Sequence, residues 1–490
     1  MATPPSVRID LEGLGLEAFR DQPVAVLGLA RSGLALTRFL VDHGARVTVY
    51  DGRSADQLAE AIEDLGERRP RLVLGPEADP AEALEDQAMI CTSPSISSRF
   101  PTTEPRLRAA LAGIEAEGRT PVVSEVDLFL RLCPAATVGV TGTKGKTTTS
   151  SLAAAVLGAG EPPVMLGGNI GIPLIERLPE LTSSHRVVLE LSELQLPTLS
   201  RGTDIAVYTH VTSDHLDRHG TLGSYRAVKR RLAQLLPTGG VLVRNDDDPV
   251  VSGYTAPARA RLVTYARRAP QPAGVGVADG WVMAGRAMVP EGHDGRLLPL
   301  ADIPLPGEHN VSNVLAAVSV GLLYGVDPDA IAGAVRRFGG VEHRLEHVAT
   351  VLGVTYVNDS QGTQPDAVMA AVRSFEQPLV LIAGGRSKGN PVGELAATVA
   401  QRVTAAVLIG ETAGDLGAAL AAAGLERIEQ AGSMEEAVAR ATSIARECTP
   451  ATVLLSPAAA SFDMFTDYEA RGRAFKAAVT TVAGQEGHDR

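Results

Sequence analysis

Thr137-Val138-Gly139-Val140-Thr141-Gly142-Thr143-Lys144-Gly145-Lys146-Thr147-Thr148 is the stretch on which the fold turns. The apolar run 137–141 reads as a buried strand, and it empties into a glycine loop. A helix over 147–157 is expected to follow. This order has a physical reason. Loop glycines let the backbone approach phosphate oxygens closely, and the amides and dipole of a helix start favour an anion there. Lys146 would reach terminal phosphates, and the Thr147 hydroxyl would ligate Mg²⁺. The common phosphate-loop pattern wants a glycine at position 140, where this chain has Val140; glycines stand at 139 and 142 instead. The alternative is a mere glycine-rich turn before a helix, against which Gly-Lys-Thr-Thr after a buried strand is specific in context.

Working outward, the chain reads as alternating strands and helices, so parallel sheets are expected. Upstream, 23–28 and 45–51 read as strands around a helix over 32–43. Further strands are read at 71–74 and 88–91, and a helix over 101–118. Downstream, strands are read at 186–190, 205–210 and 240–245, with helices over 225–236 and 310–324. The Gly- and Pro-rich stretch 254–304 reads as a small antiparallel excursion. A last region from about 339 holds strands at 354–358, 379–383, 405–409 and 452–455 and a final helix over 468–482. The fold class is α/β in three domains: Rossmann-like 1–124, a central phosphate-loop ATPase-like parallel sheet with a small antiparallel part at 125–340, and Rossmann-like 341–490.

Bulk properties agree. A chain of 490 residues is too long for one core; about 150 residues per domain gives about three. A net charge of −12 excludes a general nucleic-acid footprint. Cys91, Cys133 and Cys448 stand far apart, form no CxxC pair and are expected to be reduced and buried. The start shows no basic residue followed by an apolar run, and no stretch is apolar enough for a membrane span, so the cytoplasm is expected. The expected state is a monomer.

In sequence order, Thr141 to Thr148 resembles the shortened phosphate loop of the Mur ligases, the amino-acid-adding enzymes of peptidoglycan precursor synthesis. Further matches follow along nearly the whole chain. They are Gly168-Asn169-Ile170-Gly171, Glu190-Leu191-Ser192, Asp214-His215-Leu216-Asp217-Arg218-His219 and Tyr225-Arg226-Ala227-Val228-Lys229. Asn245-Asp246-Asp247-Asp248, Gly307-Glu308-His309-Asn310-Val311-Ser312-Asn313, His343-Arg344, Asn358-Asp359-Ser360 and Ser456-Pro457-Ala458 complete the series. Gly28-Leu29-Ala30-Arg31-Ser32-Gly33 and Ser461-Phe462-Asp463-Met464-Phe465 are most similar to the members that add D-glutamate.

The resemblance implies amide formation in two steps: ATP phosphorylates a carboxylate, and an amine displaces phosphate from the acyl phosphate. It places ATP on Gly142, Thr143, Lys144, Gly145, Lys146, Thr147 and Thr148, with Asn310, Asn313, Arg344 and Asp359. Taken alone, Asn310 could be a helix cap. Two Mg²⁺ sites are implied at Thr147, Glu190, His215 and a carbamylated Lys229; Lys146, His215 and Lys229 are the catalytic candidates. Alone, Glu190 would be a solvated carboxylate, His215 a structural histidine, and Lys229 a surface lysine beside Arg230 and Arg231. The acceptor implied is UDP-N-acetylmuramoyl-L-alanine, held by Ala30, Arg31, Ser32, Asp51, Arg53 and Asn169. D-Glutamate falls to Thr363, Lys388, Ser461 and Phe462, although Lys388 read alone could be a loop charge. Two departures stand out: Gln361 replaces the usual lysine, and Lys144 a common asparagine.

Rival readings remain open at this level. Another member could add L-alanine, L-glutamate or a diamino acid, but the Asp-Asn-Pro-Arg motif of the diamino-acid adders is missing. Gly28-x-Ala30-x-x-Gly33 followed by Asp51 also looks like a dinucleotide fingerprint, broken at Ala30, so an NAD-dependent oxidoreductase is the distant alternative. A nucleotide-binding regulator is the third.

Overall fold

Short runs of Val, Ile, Leu and Ala, buried along almost their whole length, decide the architecture: strands covered on both faces need no polar alternation. The computed structural model describes residues 8–170, 173–212, 221–305, 307–376, 378–387 and 391–488. The chain divides into two compact units, Met1–Phe338 and Gly339–Arg490.

The first unit carries two sheets. One is formed by β1 (Pro23–Leu27), β2 (Arg46–Asp51), β3 (Arg71–Leu74), β4 (Met89–Thr92) and β5 (Val122–Ser124), all parallel, in the order β3-β2-β1-β4-β5. The other has nine strands: β6 (Ala136–Thr141), β7 (Val164–Gly168), β8 (Arg186–Glu190), β9 (Ile205–Tyr208), β10 (Val241–Asn245), β11 (Arg261–Tyr265), β12 (Gly274–Ala278), β13 (Trp281–Ala284) and β14 (Arg296–Pro299). Their order is β14-β13-β12-β11-β10-β9-β6-β8-β7. The segment expected as a small antiparallel excursion extends this sheet and begins with parallel strands. β11 pairs parallel with β10, and β12 parallel with β11; the antiparallel pairings are those of β13 with β12 and with β14. Glycine and proline content had masked the two parallel strands.

Within this unit the two sheets share a core. One apolar cluster contains Val24, Val26 and Val49 from the first and Val187, Leu189 and Tyr208 from the second. Helix Glu125–Leu132 bridges them. Its cap Ser124 accepts the Asp127 amide at 3.2 Å, and the buried Asp127 carboxylate accepts the Ser200 and Arg201 amides at 2.6 and 3.1 Å and Arg131 Nε at 3.0 Å.

The second unit holds β15 (Glu346–Val351), β16 (Val354–Asn358), β17 (Leu379–Gly384), β18 (Ala405–Ile409), β19 (Ile428–Ala431) and β20 (Ala451–Leu455), in the order β15-β16-β20-β17-β18-β19. Only β15 is antiparallel to its neighbour. Separate apolar clusters cover its two faces, one around Ile382 and Phe475 and one around Leu381 and Leu395. All three cysteines are free, as expected, but only Cys91 is fully buried; Cys133 and Cys448 lie part-way to the surface. Among the described residues no helix is long and apolar enough to cross a membrane.

Candidate active site

The central sheet delivers β6 into the glycine loop, and helix Lys146–Gly158 begins where the loop ends. Gly142 lies so near the exit of β9 that a Cβ would fall 2.0 Å from Thr209 Oγ1. Gly145, at φ +84°, caps the helix in the left-handed region, and a Cβ there would meet Asn313 Oδ1 at 2.6 Å. The loop is held from below. The Thr143 and Lys144 amides donate to His210 O at 2.5 and 3.4 Å, and Thr209 Oγ1 donates to Lys144 O at 2.6 Å. Lys146 Nζ donates to Thr143 O at 3.0 Å. Thr147 is buried, and Thr148 partly so. The half-open helix start faces a cavity of about 580 Å³, lined by Lys144, Gly145, His210, Asn245, Arg267 and Asn313 among others. That size suits a nucleotide. His210, Asn245 and Arg267 were not foreseen as lining residues; Asn245 opened a recognised motif, but no spacing rule tied the three to the loop.

Helix Glu308–Leu323 forms a wall of this cavity. Its cap is Gly307, so the alternative of Asn310 as a cap is set aside. Asn310 Oδ1 accepts Asn313 Nδ2 at 3.0 Å, and Asn313 Oδ1 accepts Thr149 Oγ1 at 3.2 Å. Asn313, held by Asn310, therefore fastens this helix to the one that follows the phosphate loop.

Glu190 ends β8, paired through Val140 with the strand that feeds the loop. It is 2% exposed, so the reading of a solvated carboxylate fails. Its Oε1 accepts Asn169 Nδ2 at 2.9 Å, while its Oε2 is buried without a hydrogen-bond partner among the described residues. A buried carboxylate oxygen without a donor is costly unless a cation completes it, and oxygen is the donor Mg²⁺ prefers. These residues fit the ion. Lys229 is not a surface lysine: on helix Leu222–Gln234 it is fully buried. The spacing of Tyr225 and Lys229 puts both on the covered face while Arg230 points outward. Lys229 Nζ lies 3.8 Å from Glu193 Oε2 and 5.5 Å from the Tyr225 ring centre. Tyr225 shares a 2.8 Å hydrogen bond with the Thr143 hydroxyl of the loop. His215 and the motif around it lie outside the described residues.

In the first sheet, Ala30, Arg31 and Ser32 open helix Arg31–Asp42 directly after the β1 turn. Asp51 Oδ2 accepts the Leu29 amide and Arg53 Nη2, both at 2.8 Å; Oδ1 accepts Arg53 N and Nε, both at 3.0 Å. Burial works to raise this carboxyl, but the bonds from Arg53 and Leu29 outweigh it and hold it below the usual range. A cavity of about 320 Å³ beside it is lined by Gly28, Asp51, Ser95, Thr103 and Glu104. The last three went unforeseen; the polar run after β4 was their only signal.

In the second unit the candidates cluster at the carboxyl ends of β16 and β20. Asp359 is buried; Oδ1 accepts the Leu345 amide at 3.2 Å and Oδ2 the Ser456 hydroxyl at 2.6 Å. Burial pushes its carboxyl up to about 6, against the pull of Ser456, Leu345 and Arg344. Arg344 is exposed, between His343 and Leu345 at φ +61° and +45°. Thr363 is half-buried, and the amide of Gln361 donates to His343 O at 2.9 Å. Ser461 is buried, whereas Phe462 is 62% exposed. Lys388 lies outside the described residues. Arg471, fully buried against the same loops, went unnoticed because an arginine in a terminal helix reads as surface.

Models of three Mur ligase domains match in this order: a MurD-like N-terminal domain over 22–118, the middle domain over 140–321, and a glutamate ligase domain over 343–459. A UDP-N-acetylmuramoylalanine–D-glutamate ligase of Pelotomaculum thermopropionicum is 39% identical over 468 residues, covering 95% of this chain and 99% of the relative. One from Symbiobacterium thermophilum is 40% identical over 467 residues, covering 94% and 99%. The chain belongs to the Mur ligase family. As a Mur ligase it is an ATP-dependent ligase that works with Mg²⁺, and the oxidoreductase and regulator readings fall. Solved Mur ligases share the fold at low identity. The UDP-N-acetylmuramate–alanine ligase of Thermotoga maritima has a TM-score of 0.51 at 17% identity, covering 94% of this chain and 100% of that one. The MurF structure from Acinetobacter baumannii has 0.50 at 16%, covering 84% and 96%.

Proposed function

We propose that this Mur ligase joins D-glutamate to UDP-N-acetylmuramoyl-L-alanine, releasing ADP and phosphate, in cytoplasmic peptidoglycan precursor synthesis. The choice of amino acid is supported by likeness to D-glutamate ligases along 95% of the chain. The reaction class is supported above all by Glu190 Oε2 beside the phosphate loop, buried with no hydrogen-bond partner among the described residues. Residues 1–124 take the UDP-sugar, 125–340 the ATP, and 341–490 the amino acid.

Thr147, Glu190, His215 and Lys229 would hold Mg²⁺ at two sites; when bound, it neutralises phosphate charge. The chain's own residues do the rest. The loop amides and Lys146 hold the terminal phosphates of ATP, so the acceptor carboxylate can attack the γ-phosphorus and ADP leaves. Asn169 orients the sugar-peptide, with Ala30, Arg31, Ser32, Asp51 and Arg53 on the nucleotide end. Asn310 and Asn313 serve the adenine side of ATP, Arg344 its phosphates and Asp359 its ribose side. Thr363, Lys388, Ser461 and Phe462 present the D-glutamate amine, which displaces phosphate from the acyl phosphate.

Lys229 is proposed to act as a carbamate. Its neutral amine takes up CO₂, a C–N bond forms and one proton is released, turning a cation into an anion. Burial favours the neutral amine this step needs. Labelled ¹³C-bicarbonate should give a carbamate carbon signal that is missing in Lys229→Arg; the same signal in both proteins, or in neither, rejects the modification. The function itself is tested by phosphate release with UDP-N-acetylmuramoyl-L-alanine and a panel of L-alanine, L-glutamate, D-glutamate and a diamino acid. Turnover is expected with D-glutamate; its absence there overturns the assignment.

A further inference from the structure

Arg471 stands in the first turn of helix Tyr468–His488 and is 1% exposed. Each of its three guanidinium nitrogens donates to one of two loops. Nε donates to Ser360 Oγ at 3.0 Å, Nη2 to Ser360 O at 2.9 Å and Nη1 to Ala459 O at 3.1 Å. The Ser360 hydroxyl passes its own proton to Tyr468 O at 2.7 Å, which closes the network back onto the helix. One loop leaves β16 and carries Asp359 and Thr363. The other leaves β20 and carries Ser461 and Phe462. The next residue, Ala460, exchanges backbone hydrogen bonds with Arg386 at 3.0 and 2.9 Å, so the loop leaving β17 is tied in as well.

As a core-filling residue Arg471 is a poor choice. Burial pushes its pKa down to about 10, with Asp463 pulling the other way, so it is still a cation at neutral pH. Its acceptors are a hydroxyl and two carbonyls. An apolar side chain would fill the space at lower desolvation cost. What only arginine supplies is a rigid planar fork that reaches separate acceptors at once. We infer that Arg471 is a positioning residue: it sets the Asp359–Thr363 loop and the Ala459–Phe462 loop in one register, so that nucleotide and amino-acid contacts are aligned together. The inference rests on the proposed assignment of Asp359 to ATP and Ser461 to D-glutamate.

The test uses the full-length enzyme with Arg471→Lys and Arg471→Ala, its fold checked by circular dichroism. In Arg471→Lys, KM for ATP and for D-glutamate should each rise about tenfold, because sub-ångström loop shifts are felt at the reacting atoms. KM for the UDP-sugar acceptor should stay unchanged. Millimolar guanidinium should lower both raised KM values in Arg471→Ala. A folded Arg471→Lys that loses only kcat, with every KM unchanged and no guanidinium rescue in Arg471→Ala, overturns the positioning role. Where the arginine variants fail to fold, Ser360→Ala removes one acceptor and keeps both carbonyls. It should then raise the same two KM values by a smaller factor; no change in either overturns the inference. Absence of D-glutamate turnover in the wild-type enzyme strikes at the functional reading instead, while the ATP arm still reads Arg471.

Discussion

Asp359 shows how one buried acid ties stability to pH. Its carboxyl titrates near 6 in the folded chain against an ordinary 3.8. Between those values the native state keeps a proton that the unfolded chain has released. Native protein therefore binds more protons, and stability falls as pH rises through that window. The full loss, reached above about pH 6, is at most about 3 kcal/mol. Asp359→Asn stays neutral and should lack this slope. Its stability relative to wild type should be lowest, and flat with pH, below about pH 3, and should shift in favour of the variant by about 1–3 kcal/mol by pH 7.5 in urea titrations. A constant difference across the range would remove the argument. At this scale much was legible in the sequence. Glu190, Lys229, Asn310 and Asn313 came from ordered motifs, and the structure brings them to the loop's end of the central sheet. The reach of Arg471 was not legible, because its acceptors are backbone carbonyls and a serine more than ten residues away.

At the scale of elements, long periodic helices and buried strands were read well, while short ones were missed. β5 has three residues and β7 contains two glycines, so neither rises above a turn by pattern. Helix Glu125–Leu132 was missed for a related reason: Glu125 and Asp127 look solvent-facing, yet both are buried. Asp127 is fixed by contacts to Arg131 and to the Ser200–Arg201 backbone, more than seventy residues on. Removing it strips Arg131 of its carboxylate and the Ser200 and Arg201 amides of their acceptor, while Arg131 keeps Leu11 O and the Ser200 hydroxyl. Asp127→Ala should therefore cost about 1–3 kcal/mol in urea unfolding, and Asp127→Asn clearly less. A cost below 1 kcal/mol for the alanine variant would show that water satisfies those groups.

For the whole molecule, the sequence pattern separated three α/β regions because each has its own run of strands. It did not reveal that the first two share apolar packing, since periodicity shows that a face is covered and not what covers it. Val26 and Leu189 belong to one cluster, whereas residues 339–490 carry clusters of their own. Scanning calorimetry of the full chain should resolve two transitions, not three. A non-hydrolysable ATP analogue should raise the one belonging to residues 1–338. A single transition unaffected by nucleotide would contradict this division.

The hydrogen bond from Asn169 to Glu190 has a thermodynamic consequence. One amide holds a carboxylate proposed to meet a cation, and the same residue is proposed to greet the sugar-peptide. Each occupant then prepares the site for the other, and heterotropic cooperativity must be reciprocal. The factor by which Mg²⁺ tightens the UDP-linked acceptor should equal the factor by which that acceptor tightens Mg²⁺. Asn169→Ala should bring both factors toward one in paired calorimetric titrations.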